Sequence, residues 1–132
     1  MSVLRHAFDY VVVQVVPRVD RYERLNVGVI LFCPAAAFLG SRFTRDDTRL
    51  RALAPELDVR AVAHQVEAIR AVCAGEPDAG PIARLTPSER FHWLSAPRST
   101  VVQPSDAHTG LCADPTAALD ALFTSVVFFR AA

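Results

Sequence analysis

Apolar residues dominate three segments in the first third of the chain. Phe8–Pro17 is apolar on both sides, Leu25–Cys33 is a second apolar run, and Phe38–Phe43 is a third, shorter one. Two apolar faces are typical of an interior strand that is covered on both sides. Pro17 lacks an amide donor and should end the first strand. The connections between these segments are short, so the pattern predicts a three-stranded antiparallel meander.

Two positions in the second strand do not fit a continuous apolar pattern. These are Asn26 and Gly28, which interrupt an otherwise apolar run. A glycine weakens a strand and often marks a bulge or the close approach of another group. We therefore expect a local irregularity at Gly28.

The remaining two thirds of the chain carry mainly helix signals. Val59–Ala74 has apolar residues at three-four spacing, with Asp58 as an N-terminal cap and Gly75 as a stop. A shorter helix, Thr48–Leu53, follows two aspartates that can cap it. Thr86–Glu89 has the form of a capping box with proline at the first helical position. The other predicted elements are a helix from that box to about Leu94, a strand at Ser99–Gln103, a loop at Pro104–Cys112 and a last helix from Asp114-Pro115 to about Phe129.

These elements predict an α+β fold: a mainly antiparallel sheet, made of the N-terminal meander and a later strand, packed with helices. The chain has 132 residues, and 52% of them are hydrophobic. That length suits a single domain over residues 1–132, and that composition supplies a packed core.

Charge and cysteine content narrow the function classes. The formal net charge is zero, which disfavours nucleic-acid binding, and all 14 basic residues are arginine, so any anion site must use arginine. No apolar run is long enough to cross a membrane, and Met1–His6 lacks the sections of a signal peptide. Cys33, Cys73 and Cys112 are odd in number and show no C-x-x-C spacing. Free structural thiols in a reducing cytoplasm are the expectation.

The segment around the first connection carries a recognisable motif. It has the pattern P-x-x-x-R-x-E-x-x-N-x-G-V, formed by Pro17, Arg21, Glu23, Asn26, Gly28 and Val29. Val16–Phe32 and Arg90–Gly110 resemble the uncharacterised bacterial family called "domain of unknown function 3037". The resemblance covers nearly the whole chain. It implies a compact bacterial domain with no established activity, and it offers a HipA-type kinase-like protein as a possible partner.

One candidate site lies where the first strand ends and the second begins. Its residues are Arg18, Arg21, Glu23 and Asn26. Loops between strands often hold binding residues on a rigid support. Arg21 can clamp an anion that Asn26 orients. The alternative is structural: Arg21 pairs with Glu23 or a neighbour, and Asn26 satisfies backbone groups.

A second candidate site precedes and includes the predicted later strand. It consists of Arg98, Ser99, Thr100 and Gln103, with Ser105 and His108 beyond them. An arginine beside consecutive hydroxyls can bind phosphate or carboxylate. The alternative is an arginine paired with an acid and hydroxyls that serve a turn. A ligand site is favoured if the two groups meet in space, which the sequence leaves open.

Other chemistry has little support in the sequence. Ser99 or Ser105 with Asp106 and His108 resembles a hydrolytic triad only in residue type, and no G-x-S-x-G elbow exists. The four histidines are scattered, so no metal site is expected. No phosphate loop or dinucleotide fingerprint occurs, and no cofactor is expected. The aromatic patch Phe91–Trp93 can stack bases or a partner, but core packing is the simpler interpretation.

The sequence favours a non-enzymatic accessory or interaction module in the bacterial cytoplasm. The alternative is an enzyme, or a binding protein for a small anionic ligand that carries phosphate or carboxylate, with an Arg/Asn/Ser site. An exposed apolar patch would support the first, and a pocket that collects the named residues would support the second. The oligomeric state is left open.

Overall fold

The computed structural model describes residues 4–128, which form a five-stranded antiparallel sheet with four α-helices. The strands are β1 (His6–Val15), β2 (Leu25–Cys33), β3 (Phe38–Phe43), β4 (Val102–Pro104) and β5 (His108–Cys112). The helices are α1 (Thr48–Leu53), α2 (Val59–Ala74), α3 (Pro87–Leu94) and α4 (Pro115–Phe123). The α+β class predicted from the sequence is confirmed. None of the helices in this part of the chain is long and apolar enough to span a membrane.

The meander β3-β2-β1 is confirmed, and β4 and β5 share the other edge of β1. Val13 faces Pro104 and Tyr10 faces His108, so the edge segment has one extra residue between these pairs. Ser105 lies in this bulge, where its amide donates to Val12 O over 2.8 Å and its hydroxyl accepts from Val12 N over 2.9 Å. The bulge therefore joins β4 and β5 into one interrupted edge strand.

Two predictions about the later part of the sheet are wrong. The segment Pro104–Cys112 is not all loop, because β5 occupies its second half. The predicted later strand is present but its bounds were wrong: β4 begins three residues after Ser99 and ends one residue after Gln103. Gly110 shows why the local pattern failed: a Cβ there would lie 2.6 Å from the Phe8 ring, so β5 is shaped by a ring on another strand.

The limits of β1 also differ from the prediction. The strand begins and ends two residues earlier than Phe8–Pro17. Val16 still donates its amide hydrogen to Val101 O over 2.7 Å. Pairing therefore stops at Pro17, as the missing amide of proline requires.

The two faces of the sheet are covered unequally. One face buries Val11, Val13 and Val15 of β1 under α1, α2 and α3. On the other face, α4 packs on β2 and β3. The expectation that β1 is covered on both sides is wrong for part of its length, because Tyr10 and Gln14 are only half-buried. On this second face, Phe8 of β1 and Cys112 of β5 are buried together with α4, so the open half of the face is the part around Gln14 and Gln103, which are only half-buried.

The irregularity predicted at Gly28 is present and has two components. The register between β1 and β2 shifts between Val13 and Gln14, which places a bulge beside Gly28. The Phe43 ring of β3 lies directly over Gly28, where a Cβ would overlap it. Glycine is therefore required by the close approach of the ring.

The local signals for both ends of α2 and for the start of α3 are confirmed, whereas Asp47 makes no capping hydrogen bond to α1 and Asp46 Oδ1 accepts from Thr48 N over 3.0 Å. Asp58 Oδ1 accepts from the amides of Arg60 and Ala61, and Gly75 closes α2 with φ of 69°. Thr86 forms the capping box that opens α3. The last helix continues from α4 into a π-helical turn, Thr124–Phe128, and its predicted end at Phe129 lies outside the described residues.

Candidate functional site

The first predicted group of residues lies at the end of the sheet where β1 turns into β2. Arg18, Arg21 and Glu23 line a cavity of about 440 Å³, here called the turn cavity. Its other walls are Pro17 and the α1–α2 connection, with Leu53, Ala54, Pro55, Glu56 and Leu57. The cavity therefore combines an apolar wall with a charged rim.

Both arginines of the turn cavity are already paired. An Arg18 nitrogen lies 2.7 Å from Asp20 Oδ2, and Arg21 forms an ion pair with Glu23. The hydrogen bond from Arg18 lowers the pKa of Asp20 below its ordinary value. These contacts match the structural alternative for Arg21 and Glu23. The guanidinium groups have acidic neighbours two residues away in the chain and do not need a ligand to balance their charge.

Asn26 is held by the fold and does not line the turn cavity. Its Oδ1 accepts from Gln14 Nε2 over 3.0 Å, and its Nδ2 donates to Val126 O over 3.0 Å. Gln14 Oε1 in turn accepts from Arg24 over 3.2 Å. Arg49 donates to the neighbouring carbonyl, Val127 O, over 2.6 Å. Asn26 thus joins the start of β2 to the π-helical end of the last helix.

The tip of the β1–β2 turn exposes two large apolar side chains. Val19 is 66% exposed and Tyr22 is 82% exposed. Tyr22 also has φ of 58°, in the left-handed region, and it ends a single 3-10 turn whose last hydrogen bond runs from its amide to Val19 O. Within residues 4–128 its ring makes no ring contact and its hydroxyl no hydrogen bond. An L-residue in this conformation is strained by about 1–2 kcal/mol.

The second predicted group is only partly brought together, on the open half of the sheet. Arg98 and Gln103 line a cavity of about 390 Å³, here called the open-face cavity. Gln14, Arg24, Asp106 and His108 line it as well. Gln14 and Arg24 were not predicted. Gln14 is brought there because it pairs with Gln103 across the sheet, a register that local sequence does not reveal.

The two arginines of the open-face cavity have no acidic partner within residues 4–128. Arg98 donates to Trp93 O over 2.9 Å and its guanidinium lies 4.3 Å from the centre of the Trp93 ring. Burial lowers the pKa of Arg98 below its ordinary value. The hydrogen bond of Arg24 to Gln14 is to a neutral amide. In the part of the chain that the structure describes, neither arginine therefore forms an ion pair, although the Asp106 carboxylate lines the same cavity.

Ser99 and Thr100 do not join this cavity. Thr100 Oγ1 donates to Val102 O over 2.7 Å, and Ser99 is exposed in the same connection. Thr100 instead lines a neighbouring apolar groove of about 530 Å³ that also contains Trp93 and Arg98. The Thr100 hydroxyl serves the turn, as the structural alternative proposed, whereas the other part of that alternative is wrong, because Arg98 contacts Trp93 O and not an acid.

The triad of residue types around Ser105 does not have triad geometry. The Ser105 hydroxyl donates to Asp106 O over 2.9 Å and accepts from Val12 N, so its hydrogen is directed at the backbone. The His108 ring lies 5.5 Å from the Tyr10 ring, centre to centre. Ser105 therefore acts as a backbone anchor for the bulge.

The three thiols are free and buried. Burial raises the pKa of Cys73 to about 11, so this thiol stays protonated and unreactive near neutral pH. Among residues 4–128, no three His, Cys, Asp or Glu side chains cluster closely enough to hold a metal ion.

The aromatic patch divides between the core and the surface. Phe91 is buried, and its ring centre lies 5.5 Å from that of Phe32. Trp93 is 39% exposed and supports Arg98. Core packing therefore describes Phe91, whereas Trp93 belongs to the wall beside the open-face cavity.

Comparison with curated proteins and with solved structures found no significant match. A family model described as "Protein of unknown function (DUF3037)" matches residues 10–127, which is almost the whole chain and includes the β1–β2 turn motif and the open-face cavity. The chain therefore belongs to the DUF3037 family.

Proposed function

We propose that this protein is a non-enzymatic interaction module and that its β1–β2 turn contacts a protein partner. The contact surface consists of Val19, Tyr22 and the apolar wall of the turn cavity, and we call it the turn surface. The observation that carries the proposal is Tyr22, a large side chain held exposed in a strained backbone conformation.

Within residues 4–128, no ring contact or side-chain hydrogen bond of Tyr22 offsets the strain of its backbone. Glycine at this position would remove the steric cost of a positive φ. The tyrosine ring makes no intramolecular ring contact there that would offset the cost. Strained residues that persist without internal contacts are candidates for functional contacts. Tyrosine is also among the residues that contribute most to protein interfaces.

The neighbouring surface suits a partner with an apolar side chain. The turn cavity has an apolar wall that includes Pro17, Pro55 and Leu57, and its arginines are already paired with acids. A paired rim adds little net charge, so we expect affinity to depend mainly on apolar contact. The HipA-type kinase-like protein implied by the family resemblance is the first partner to test.

The non-enzymatic part of the proposal is supported by how the reactive side chains are used. Ser105 is hydrogen-bonded to the backbone in both directions, and the three thiols are buried. Buried free thiols also suit a reducing compartment, so the proposal places the module in the bacterial cytoplasm.

The test compares two glycine substitutions. Tyr22→Gly removes the ring and relieves the positive φ. Ala37→Gly is the matched control because Ala37 has φ of 50° and ends an equivalent 3-10 turn on another loop. Tagged wild type and both variants are used to capture partners from source cells and to bind the purified HipA-type protein.

The proposal predicts that wild type and Ala37→Gly capture a partner protein in stoichiometric amount and that Tyr22→Gly does not capture it. Folding of each variant is verified by urea denaturation. Equal capture by all three proteins, or no captured protein with any of them, would overturn the proposal.

A further inference from the structure

We propose that the open-face cavity binds a small ligand through an oxyanion group, a carboxylate or a phosphate, held between Arg24 and Arg98. The inference concerns a different surface from the turn surface and does not depend on a protein partner. It rests on the open half of the sheet face, on the two arginines that form no ion pair with an acid within residues 4–128, and on the way in which the fold holds both arginines.

The cavity exists because one helix covers only part of a sheet face. Helix α4 packs on β2 and β3, and the strands β1 and β4 present polar side chains to the uncovered half. Gln14 and Gln103 stand opposite each other there. The volume of about 390 Å³ falls in the range of small-molecule sites.

Each arginine is oriented by a contact that leaves most of its donors free. Arg24 uses one nitrogen to donate to Gln14, and Arg98 uses one to donate to Trp93 O. A guanidinium has five N–H donors, so most of them remain available on both side chains. The planar fork matches two oxygens of a carboxylate or a phosphate.

The arginine positions are set before any ligand arrives. Gln14, which accepts from Arg24, is itself fixed by Asn26, and Asn26 is anchored to Val126 O. Arg98 is fixed by the face of Trp93. Preorganised groups lose less entropy on binding than mobile ones, so this arrangement favours binding.

The acidic residue that lines the open-face cavity indicates which second group the ligand carries. Asp106 contributes a carboxylate that forms no side-chain hydrogen bond with any residue in the range 4–128, and a carboxylate only accepts hydrogen bonds. A second negative group of the ligand beside Asp106 would be repelled by it, whereas a hydrogen-bond donor would find an acceptor there. We therefore infer that the ligand has a hydroxyl or amine donor beside its oxyanion, as hydroxy acids and amino acids do.

The experiment is an amide-shift titration by NMR with inorganic phosphate, lactate and propionate as probes. Lactate and propionate differ by one hydroxyl, so the pair tests the donor, and phosphate tests the other source of an oxyanion. Wild type is compared with Arg24→Gln and with Arg60→Gln. Arg60 is an exposed arginine of α2 outside the cavity, and its substitution changes the net charge by the same amount.

We expect saturable shifts around the cavity with lactate or phosphate in wild type and in Arg60→Gln. Arg24→Gln should raise the Kd at least about tenfold, the scale of one lost charge-assisted hydrogen bond. Shifts that do not saturate, or equal weakening in both variants, would overturn the proposal, because both outcomes indicate general charge screening. If lactate saturates the shifts and phosphate does not, the oxyanion group of the ligand is a carboxylate. If phosphate saturates them and lactate does not, the group is a phosphate.

Two further readouts test the parts of the site separately. Trp93 is the only tryptophan of the chain and supports Arg98, so its emission should change with the same midpoint as the NMR shifts. A different midpoint would contradict the role of Arg98. Asp106→Ala removes the acceptor and should abolish any preference for lactate over propionate, and a preserved preference would contradict the donor.

Discussion

The molecule has arginines in two regions that differ in how the charge is balanced. At the β1–β2 turn, Arg18 and Arg21 each pair with an acid two residues away. In the open-face cavity, Arg24 and Arg98 contact neutral oxygens, and no acid pairs with them within residues 4–128. In the first region each arginine is neutralised by a neighbouring acid, whereas in the second region the arginines form no ion pair within residues 4–128.

This difference teaches that a motif and a ligand site need not coincide. The turn carries most of the recognisable motif, yet its polar residues are used by the fold: Arg21 pairs with Glu23 and Asn26 bonds to Val126 O. The open-face cavity contains none of the six motif residues, yet its two arginines keep most of their hydrogen-bond donors free. Variants at Gly28, Asn26, Tyr22 and Arg21 test this division of roles.

Gly28→Ala should have the largest effect, because the new methyl group would overlap the Phe43 ring. Overpacking of this kind should lower the free energy of unfolding by about 3 kcal/mol, measured by urea denaturation. The double variant with Phe43→Ala should cost less than the sum of the two single changes. Additive costs would show that the clash is not the cause and that this motif glycine has another role.

Asn26→Ala should lower the free energy of unfolding by about 1.5 kcal/mol, since Val126 O and Gln14 each lose a partner. Arg24 would also be held less firmly through Gln14, so anion binding should weaken. Asn26→Asp keeps the acceptor for Gln14 and removes the donor to Val126 O. It should lose stability but retain more anion binding than Asn26→Ala. Unchanged stability in both variants would contradict the structural role.

Tyr22→Gly should raise the free energy of unfolding by about 0.8 kcal/mol. Relief of the positive φ exceeds the entropy cost of a new glycine, which is about 0.4–1 kcal/mol. Ala37→Gly should show a gain of similar size, because its backbone is strained in the same way. A stability loss in Tyr22→Gly alone would mean that the ring stabilises the fold. Tyr22 would then give no support to the proposal that the turn surface contacts a partner.

Arg21→Ala should have the smallest effect, a loss of about 0.3 kcal/mol, because exposed ion pairs contribute little. High salt should remove most of this difference, since it screens an exposed pair. Thermal unfolding at two salt concentrations measures both effects. A loss above about 2 kcal/mol would show that Arg21 supports the fold through more than its pair with Glu23.

Local signals in the sequence predicted much of the fold. The caps at Asp58 and Thr86 and the stop at Gly75 are contacts between near neighbours in the chain, so helix ends were predicted well. Strand β5 was missed because Gly110 fits beneath Phe8, a residue about a hundred positions away. Such a contact leaves no periodic pattern in the segment itself.

The candidate site was less predictable for the same reason. Arg98 and Gln103 were named from their residue types, but Gln14 reaches the cavity through its register with Gln103, and Arg24 lies there in hydrogen-bond contact with Gln14. The open half of the sheet follows from where α4 packs, whereas the apolar pattern of β1 predicted cover on both faces. Interactions between distant segments thus decide which polar groups remain free.

The most direct test of the central claim compares Arg21→Gln with Arg24→Gln in one experiment. Each loses one positive charge, and the two residues lie three positions apart. Lactate and phosphate affinity by NMR and free energy of unfolding by urea are measured for both. The account predicts that Arg24→Gln loses binding at nearly unchanged stability and that Arg21→Gln keeps binding. Loss of binding in Arg21→Gln with retention in Arg24→Gln would contradict it.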